Sequence, residues 1–289
     1  MAKLNLTKIE DEDVTNLPAD AANSATALAA YGHDAGTGLE DVGMNEMLVP
    51  FYRVLQPLSK VVQDDPVNFK PGMIHNTATN ETYTALGFIP AARDHNFTKW
   101  TPLDKGGGFK GAFLPGDPYI EACKARADEQ FAQKQRRFDS RFGKLPCDDG
   151  DELVESYYLY GLFLNPEMPV PMRGVIGFSS SQVKKYQSLM MRLLGLQLTL
   201  PDGRSIKLPI WAHTWKLTTV TESNKAGQKF FGWKIDFANG SQPASLMAPN
   251  NPLYVQAKEF HELQKHGVVQ AAYDTMKAEE EIDPSAPGM

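Results

Sequence analysis

The sequence predicts a mainly β protein with α insertions, an α+β fold, and three observations carry that reading. Residues 211–237, WAHTWKLTTVTESNKAGQKFFGWKIDF, alternate like two strands around a polar, glycine-containing turn at 222–227. Between residues 82 and 237 the coarse order is strand, strand, strand, helix, strand, strand. The helix in that order is opened by Ser179-Ser180-Ser181-Gln182 and closed by Gly195, the residue types that start and stop helices.

With 289 residues, 42% hydrophobic and 10% aromatic, the chain can bury one large core and still carry tails. No run reaches the ~20 apolar residues of a bilayer span. The opening MAKLNLTKIEDEDVTN lacks the apolar stretch of a signal peptide. Cys123 and Cys147 stand far apart, without the rhythm of metal ligands. The expectation is a reduced, cytoplasmic protein with no metal and no cofactor.

In chain order, residues 1–46 are acidic and poor in large apolar side chains, which predicts disorder around a short helix at 21–31. The body, residues 47–250, opens with LVPFYRVLQ at 48–56, which reads as a strand. Residues 73–76 and 82–92 read as strands about the turn at 79–81, and HNFTKWT at 95–101 as a short extended piece. An insertion at about 104–155 follows. It begins DKGGGFKG, whose glycines let backbone approach a ligand closely, but it lacks the Gly-Lys-Ser/Thr ending of a nucleotide cradle. That loop is either a sugar-phosphate contact or a plain hairpin tip. Residues 118–144 read as a charged helix ending in Lys134, Arg136, Arg137, Arg141 and Lys144, either a phosphate-contacting arm or a solvated helix. The acidic run 148–152 reads as a loop.

Residues 156–164 and 170–178 have the β-branched and aromatic content of strands. The helix to Leu194 sets Val183, Tyr186, Met190 and Leu193 on one stripe and Lys185, Ser188 and Arg192 on another. Residues 198–209 connect by a hairpin or loop. The segment 251–289 reads as a helix to about residue 281, with Leu253, Ala257, Phe260 and Leu263 in line, and then a disordered acidic tail.

Alternation in residues 211–237 predicts an apolar face of Trp211, Trp215, Leu217, Phe231, Trp233, Ile235 and Phe237. The other face carries Thr214, Lys216 and Thr218 opposite Phe230, Gly232 and Lys234. Lysines beside an exposed ring suit a polyanion with flat bases, although an ordinary half-buried hairpin has the same pattern. The net charge of −6 is unevenly spread: residues 1–47 sum to −7, residues 173–234 to +8, and residues 235–289 to −5. A phosphate footprint is a local property, so the basic middle weighs more than the total.

The element order is that of a five-stranded oligonucleotide-binding (OB-fold) barrel, here elaborated by the insertion, a C-terminal helix and disordered acidic ends. The segments VPFYRVLQPLS, PGMIHNTATNETY, GGGFKG and WKLTTVTESNKAGQKFFGWKIDF resemble tailed-bacteriophage single-stranded DNA-binding proteins of replication and recombination. The resemblance spans about residues 48–237. It implies a barrel with a basic, aromatic groove, no catalysis, and an acidic tail that meets replication or recombination proteins in the host cytoplasm. The chain departs from that family by ending Pro-Gly-Met rather than on an aromatic residue.

On this reading the nucleic-acid-binding residues are Lys99, Trp100, Lys105, Phe109, Lys110, Arg173, Lys184, Lys185, Arg192, Lys216, Lys229, Phe230 and Lys234. The cations displace counterions from phosphates, and the rings, with Tyr186 as a weaker candidate, stack on bases. An enzyme is the first competing class, but His95, His213, Asp64 and Asp65 sit in no nucleophile, metal or acid–base motif. A phage structural, assembly or host-interacting protein is the second. Homo-oligomerisation, DNA against RNA preference and site size stay open. The charge layout further suggests that the tail competes for the basic groove, where a solubilising role is the plainer alternative. Deleting residues 277–289 is expected to tighten oligonucleotide binding at low salt, read by fluorescence anisotropy; unchanged affinity counts against competition.

Overall fold

Two stretches dense in aromatic and β-branched residues, Leu86–Trp100 and Glu152–Leu164, form strands of 15 and 13 residues and carry the rest of the chain. The computed structural model describes residues 49–102, 105, 108–133, 144–165, 170–223, 227 and 229–265. The expectations for residues 1–46, for Gly106 and Gly107, for Lys134, Arg136, Arg137 and Arg141, and for the tail beyond 265 lie outside the described residues.

In chain order the elements begin with β1 (Tyr52–Val54), α1 (Lys60–Asp64), β2 (Ile74–Asn76), β3 (Thr82–Tyr83), β4 (Leu86–Trp100) and β5 (Phe109–Phe113). The insertion continues as α2 (Pro118–Gln133) and β6 (Lys144–Pro146), then come β7 (Glu152–Leu164), β8 (Met172–Ser179) and α3 (Val183–Leu194). A short hairpin, β9 (Gln197–Thr199) and β10 (Ser205–Lys207), precedes β11 (Trp215–Ser223), β12 (Lys229–Phe237), α4 (Gln242–Ser245) and α5 (Pro252–Lys265).

The class is therefore α+β, as the periodicity predicts. Several boundaries differ. Residues 86–100 form one strand rather than two pieces, because β7 pairs with β4 along almost its whole length. Lys144 lies in β6, not at a helix end, and Trp211 lies in a 3-10 turn, Ile210–Ala212, ahead of β11. The helix α3 starts through a 3-10 turn at Ser180–Gln182, and no serine side chain caps it.

Among the described residues the main sheet runs β12-β11-β4-β7-β6, with β5 on the far half of β4 and β8 on the near half of β7. Pro90 has no N–H to give the ladder, and the register of β4 against β7 shifts between Pro90 and Ala92. Gly161, opposite this bulge, lets the backbone of Ile89 and the ring of Phe88 press in; any Cβ there would collide with both.

The sheet is not closed into a barrel: no ladder joins β8 to β12 among the described residues. The start of β1 runs beside β8, with Phe51 bridging Val175 in parallel and Val175 N donating to Pro50 O at 2.9 Å. Just beyond its other end, the Gln56 side chain meets Phe231 of β12. A separate sheet, β1-β2-β3, thus fills the gap that a closed barrel would seal.

The long ribbon carries two cores. At the near end Leu86, Phe88, Leu159, Phe163 and Ile176 pack with Trp215, Leu217 and Trp233 and with Tyr186, Leu189 and Leu193 of α3. At the far end Ile120, Cys123 and Ala127 of α2 pack on Phe97, Leu145, Cys147 and Leu153. Helix α5 covers the ribbon between them through buried Ala257 and Phe260, and His261 Nδ1 donates to Ala91 O at 2.8 Å.

Two histidines are buried in this body. His75 sits beside Arg53 in the β1–β2 ladder and donates from Nε2 to Asn80 Oδ1 at 3.2 Å. Burial, helped by the Arg53 charge, pulls its pKa down to about 4, and burial alone pulls that of His213 down. Unfolding returns both to ordinary values near 6.5, so the unfolded chain takes up protons first. Stability present above pH 6.5 is therefore lost as pH falls toward 4. Urea midpoints measured across that window should fall steeply for the native protein and less steeply for His75→Gln.

Candidate nucleic-acid interface

The hairpin β11–β12 holds strict register over nine pairs, from Trp215 opposite Phe237 to Ser223 opposite Lys229. Alternation sends Trp215, Leu217, Trp233 and Ile235 into the near core, as the sequence predicts. Among the described residues no strand lies beside the outer edge of β12, and backbone groups on that edge are met by side chains. Gln56 accepts from Phe231 N at 2.9 Å and donates to Phe231 O at 2.8 Å. Gln182 Oε1 accepts from Trp233 N at 2.9 Å. Arg192 Nη1 donates to Ile235 O at 2.6 Å. Three side chains thus take the place of a neighbouring strand.

These contacts draw α3 along β12 and leave between them a groove of about 180 Å³ lined by Lys185, Ser188, Leu189, Arg192, Trp233, Lys234 and Ile235. Three of the thirteen sequence-predicted residues line it, Lys185, Arg192 and Lys234, while Lys184 lies on the same helix and Lys216, Lys229 and Phe230 on the same hairpin. Lys184, Lys216, Lys229 and Lys234 are exposed. Lys216 and Lys234 share one face of the hairpin, since Lys216 opposes Asp236 and Lys234 opposes Thr218.

Acids share this face. Lys185 Nζ lies 2.5 Å from Glu222 Oε1, and Lys234 Nζ lies 3.6 Å from Asp236 Oδ2. Arg192 is engaged otherwise than the sequence suggests: its guanidinium lies 4.7 Å from the Trp215 ring centroid and 4.9 Å from that of Phe237 while it holds Ile235. It positions β12 against α3 and offers little to a phosphate. Phe230, expected to be an exposed platform, is buried at 6% exposure. Glu222 opposes it in the ladder and is held by Gln182 and Lys185, so the start of α3 lies over that end of the hairpin. Tyr186 is likewise buried, stacked on Tyr157 with centroids 4.5 Å apart.

The remaining predicted residues lie elsewhere. Trp100, Lys99, Lys105, Phe109 and Lys110 stand at the far end of β4, up to ~45 Å from Leu86 at ~3.3 Å per residue. There Lys99 binds Asp149, lies 3.5 Å from Asp151 and covers the Tyr119 ring; the hydrogen bond with Asp149 pushes the lysine pKa up and the aspartate pKa down. Lys105 donates to Gly150 O at 3.2 Å. Trp100 and Phe109 pack edge to face at 5.7 Å, both half-buried, beside the exposed Lys110. Arg173 lies over the Phe260 ring at 5.5 Å, against α5.

Of the residues weighed for catalysis, His95 stacks on Tyr157 at 4.2 Å and meets Glu155 at 3.0 Å. Burial, then Glu155, raises the Tyr157 pKa to about 12. His213 packs on Phe237, Asp64 closes α1, and Asp65 binds Asn68, which lowers its pKa. The sequence reads Gln182 only as part of a helix start and gives Gln56 no structural role, because a glutamine that seals a strand edge has no local signature. Replacing Arg192 with Met, which keeps bulk, should lower stability by about 1–3 kcal/mol in chemical denaturation through loss of the charged hydrogen bond and ring contacts. Lys184→Met, at an exposed position, should stay within about 0.5 kcal/mol of the native protein.

Residues 19–270 match the family described as Pam3 phage gp34-like protein. No curated protein and no solved structure matches the chain. Among the described residues no helix is long and apolar enough to cross a membrane.

Proposed function

The chain belongs to the Pam3 phage gp34-like family, and we propose that this phage protein binds single-stranded DNA without sequence preference, in the host cytoplasm, during phage replication or recombination. The observation that carries the proposal is the collection of Lys184, Lys185, Lys216, Lys229 and Lys234 around α3 and the β11–β12 hairpin, four of them exposed. Cations spread over one helix and the hairpin beside it suit a continuous phosphate backbone better than a single small anion.

Connectivity supports the same reading. The order β4, β7, β8, α3, β11, β12, with β4 pairing both β7 and β11, follows an oligonucleotide-binding barrel opened between β8 and β12. In such folds the strand surface and adjoining loops meet the nucleic acid. Because Phe230 and Tyr186 are buried, the phosphate contacts of the lysines dominate and base stacking on them contributes little. The exposed Lys110 with Trp100 and Phe109 at the far end of β4 forms a secondary contact for a longer strand.

A labelled oligo-dT titration tests this. Engagement of about four phosphates gives a single-strand salt slope near −3, so affinity should fall about 50-fold between about 50 and 200 mM salt. Lys184→Glu/Lys216→Glu/Lys229→Glu should reduce affinity at least about tenfold, whereas Lys110→Glu has a smaller effect. Absence of binding at low salt with micromolar protein would sink the proposal and favour an assembly role.

A further inference from the structure

The two cysteines stand far apart in the sequence and meet in the far core. Cys123 is buried on α2. Cys147 opens the tight turn between β6 and β7, where Cys147 N donates to Asp151 O at 2.9 Å and Gly150 N to Cys147 O at 3.4 Å. Both are free thiols sealed from water, Cys123 at 0% exposure and Cys147 at 5%.

Contacts on either side set them opposite each other. Helical spacing places Tyr119, Cys123 and Arg126 on one face of α2. Tyr119 OH donates to Asp148 Oδ1 at 3.2 Å, and Arg126 Nη1 donates to Pro146 O at 3.1 Å. The residues before and after Cys147 are thus gripped from one turn to either side of Cys123, with helix and turn running in opposite directions. The same Arg126 nitrogen reaches Cys123 Sγ at 3.8 Å. Between these anchors the two thiols hydrogen-bond to each other; burial, helped by the neighbouring sulfur, pushes the Cys147 thiol up to about 11.

We infer that Cys123 and Cys147 form a dithiol that closes into an intramolecular disulfide, fastening α2 to the β6–β7 turn when the protein meets a disulfide oxidant such as oxidised glutathione. A disulfide brings sulfurs to ~2.05 Å, and thiols already in hydrogen-bond contact need only a rotamer change and a slight approach of helix and turn. Cys147, the less buried, attacks: its thiolate bonds to one sulfur of the oxidant and releases the other half as a thiol. Cys123 then displaces the second half from Cys147 and closes the bond. Two protein thiols and one small disulfide become one protein disulfide and two small thiols, which carry away both protons. The raised pKa leaves little thiolate near neutrality, so closure is slow. The product is favoured because the fold holds the sulfurs together whether or not they are bonded. The inference stands apart from the DNA reading, since neither cysteine belongs to the groove.

The test incubates the full, folded chain with excess oxidised glutathione at about pH 8.5, where more thiolate forms, and then denatures it in maleimide. Intact mass should show no maleimide on the oxidised chain, against one on each cysteine of the reduced chain, and peptide mapping should find Cys123 joined to Cys147. Hydrogen exchange of the α2 amides should slow about tenfold or more on oxidation and recover with dithiothreitol, because the cross-link keeps the helix from leaving the turn. A chain that keeps both thiols free, carries glutathione on either cysteine without closing, or cross-links to a second copy would overturn the inference. So would unchanged α2 exchange in the closed form.

Discussion

The edge of β12 is the constraint on which the near half of the molecule depends. A strand of nine residues with one bare side must pair, be covered, or invite another chain. Here Gln56, Gln182 and Arg192 satisfy three successive outward-facing residues, Phe231, Trp233 and Ile235. Because Gln182 directly precedes α3 and Arg192 lies within it, satisfying the edge also fixes the helix over the core. Because Gln56 follows β1, the same edge fixes the small sheet in the gap. The sheet stays open for this reason: the positions a closing strand would occupy are filled by side chains.

That arrangement decides what the basic residues can do. Of the cations in the middle of the chain, Arg192 is consumed by the edge and by two rings, and Lys185 is balanced by Glu222. Among the described residues of that segment, the exposed lysines that remain are Lys184 on α3, Lys216, Lys229 and Lys234 on the β11–β12 hairpin, and Lys207 on β10. The second aromatic and basic group, around Trp100 and Phe109, belongs to the other end of the ribbon, where α2 and the far core hold it. A long strand separates two basic, aromatic neighbourhoods.

Much of the fold was legible locally. The hairpin's register follows from alternation of Trp215, Leu217, Trp233 and Ile235 with lysines and threonines, and the serine run and Gly195 bracket α3 although no serine side chain caps it. The candidate site was legible in part. The lysines singled out in the basic middle segment lie exposed on α3 and the β11–β12 hairpin, but Phe230 was assigned to the solvent face by the same alternation rule that worked for its neighbours. Alternation says which side of a sheet a residue faces. It does not say what else lies on that side, and the start of α3 lies there.

The sequence alone determined the α+β class, the strand–helix order and the acidic–basic–acidic layout, because each is written in periodicity or composition along the chain. Only the tertiary structure decided that the sheet stays open, that Arg192 serves a backbone carbonyl and two rings, and that Phe230 is buried. Those outcomes rest on partners such as Gln56 and Phe231, 175 positions apart, and no local pattern encodes which distant side chain will meet a free N–H.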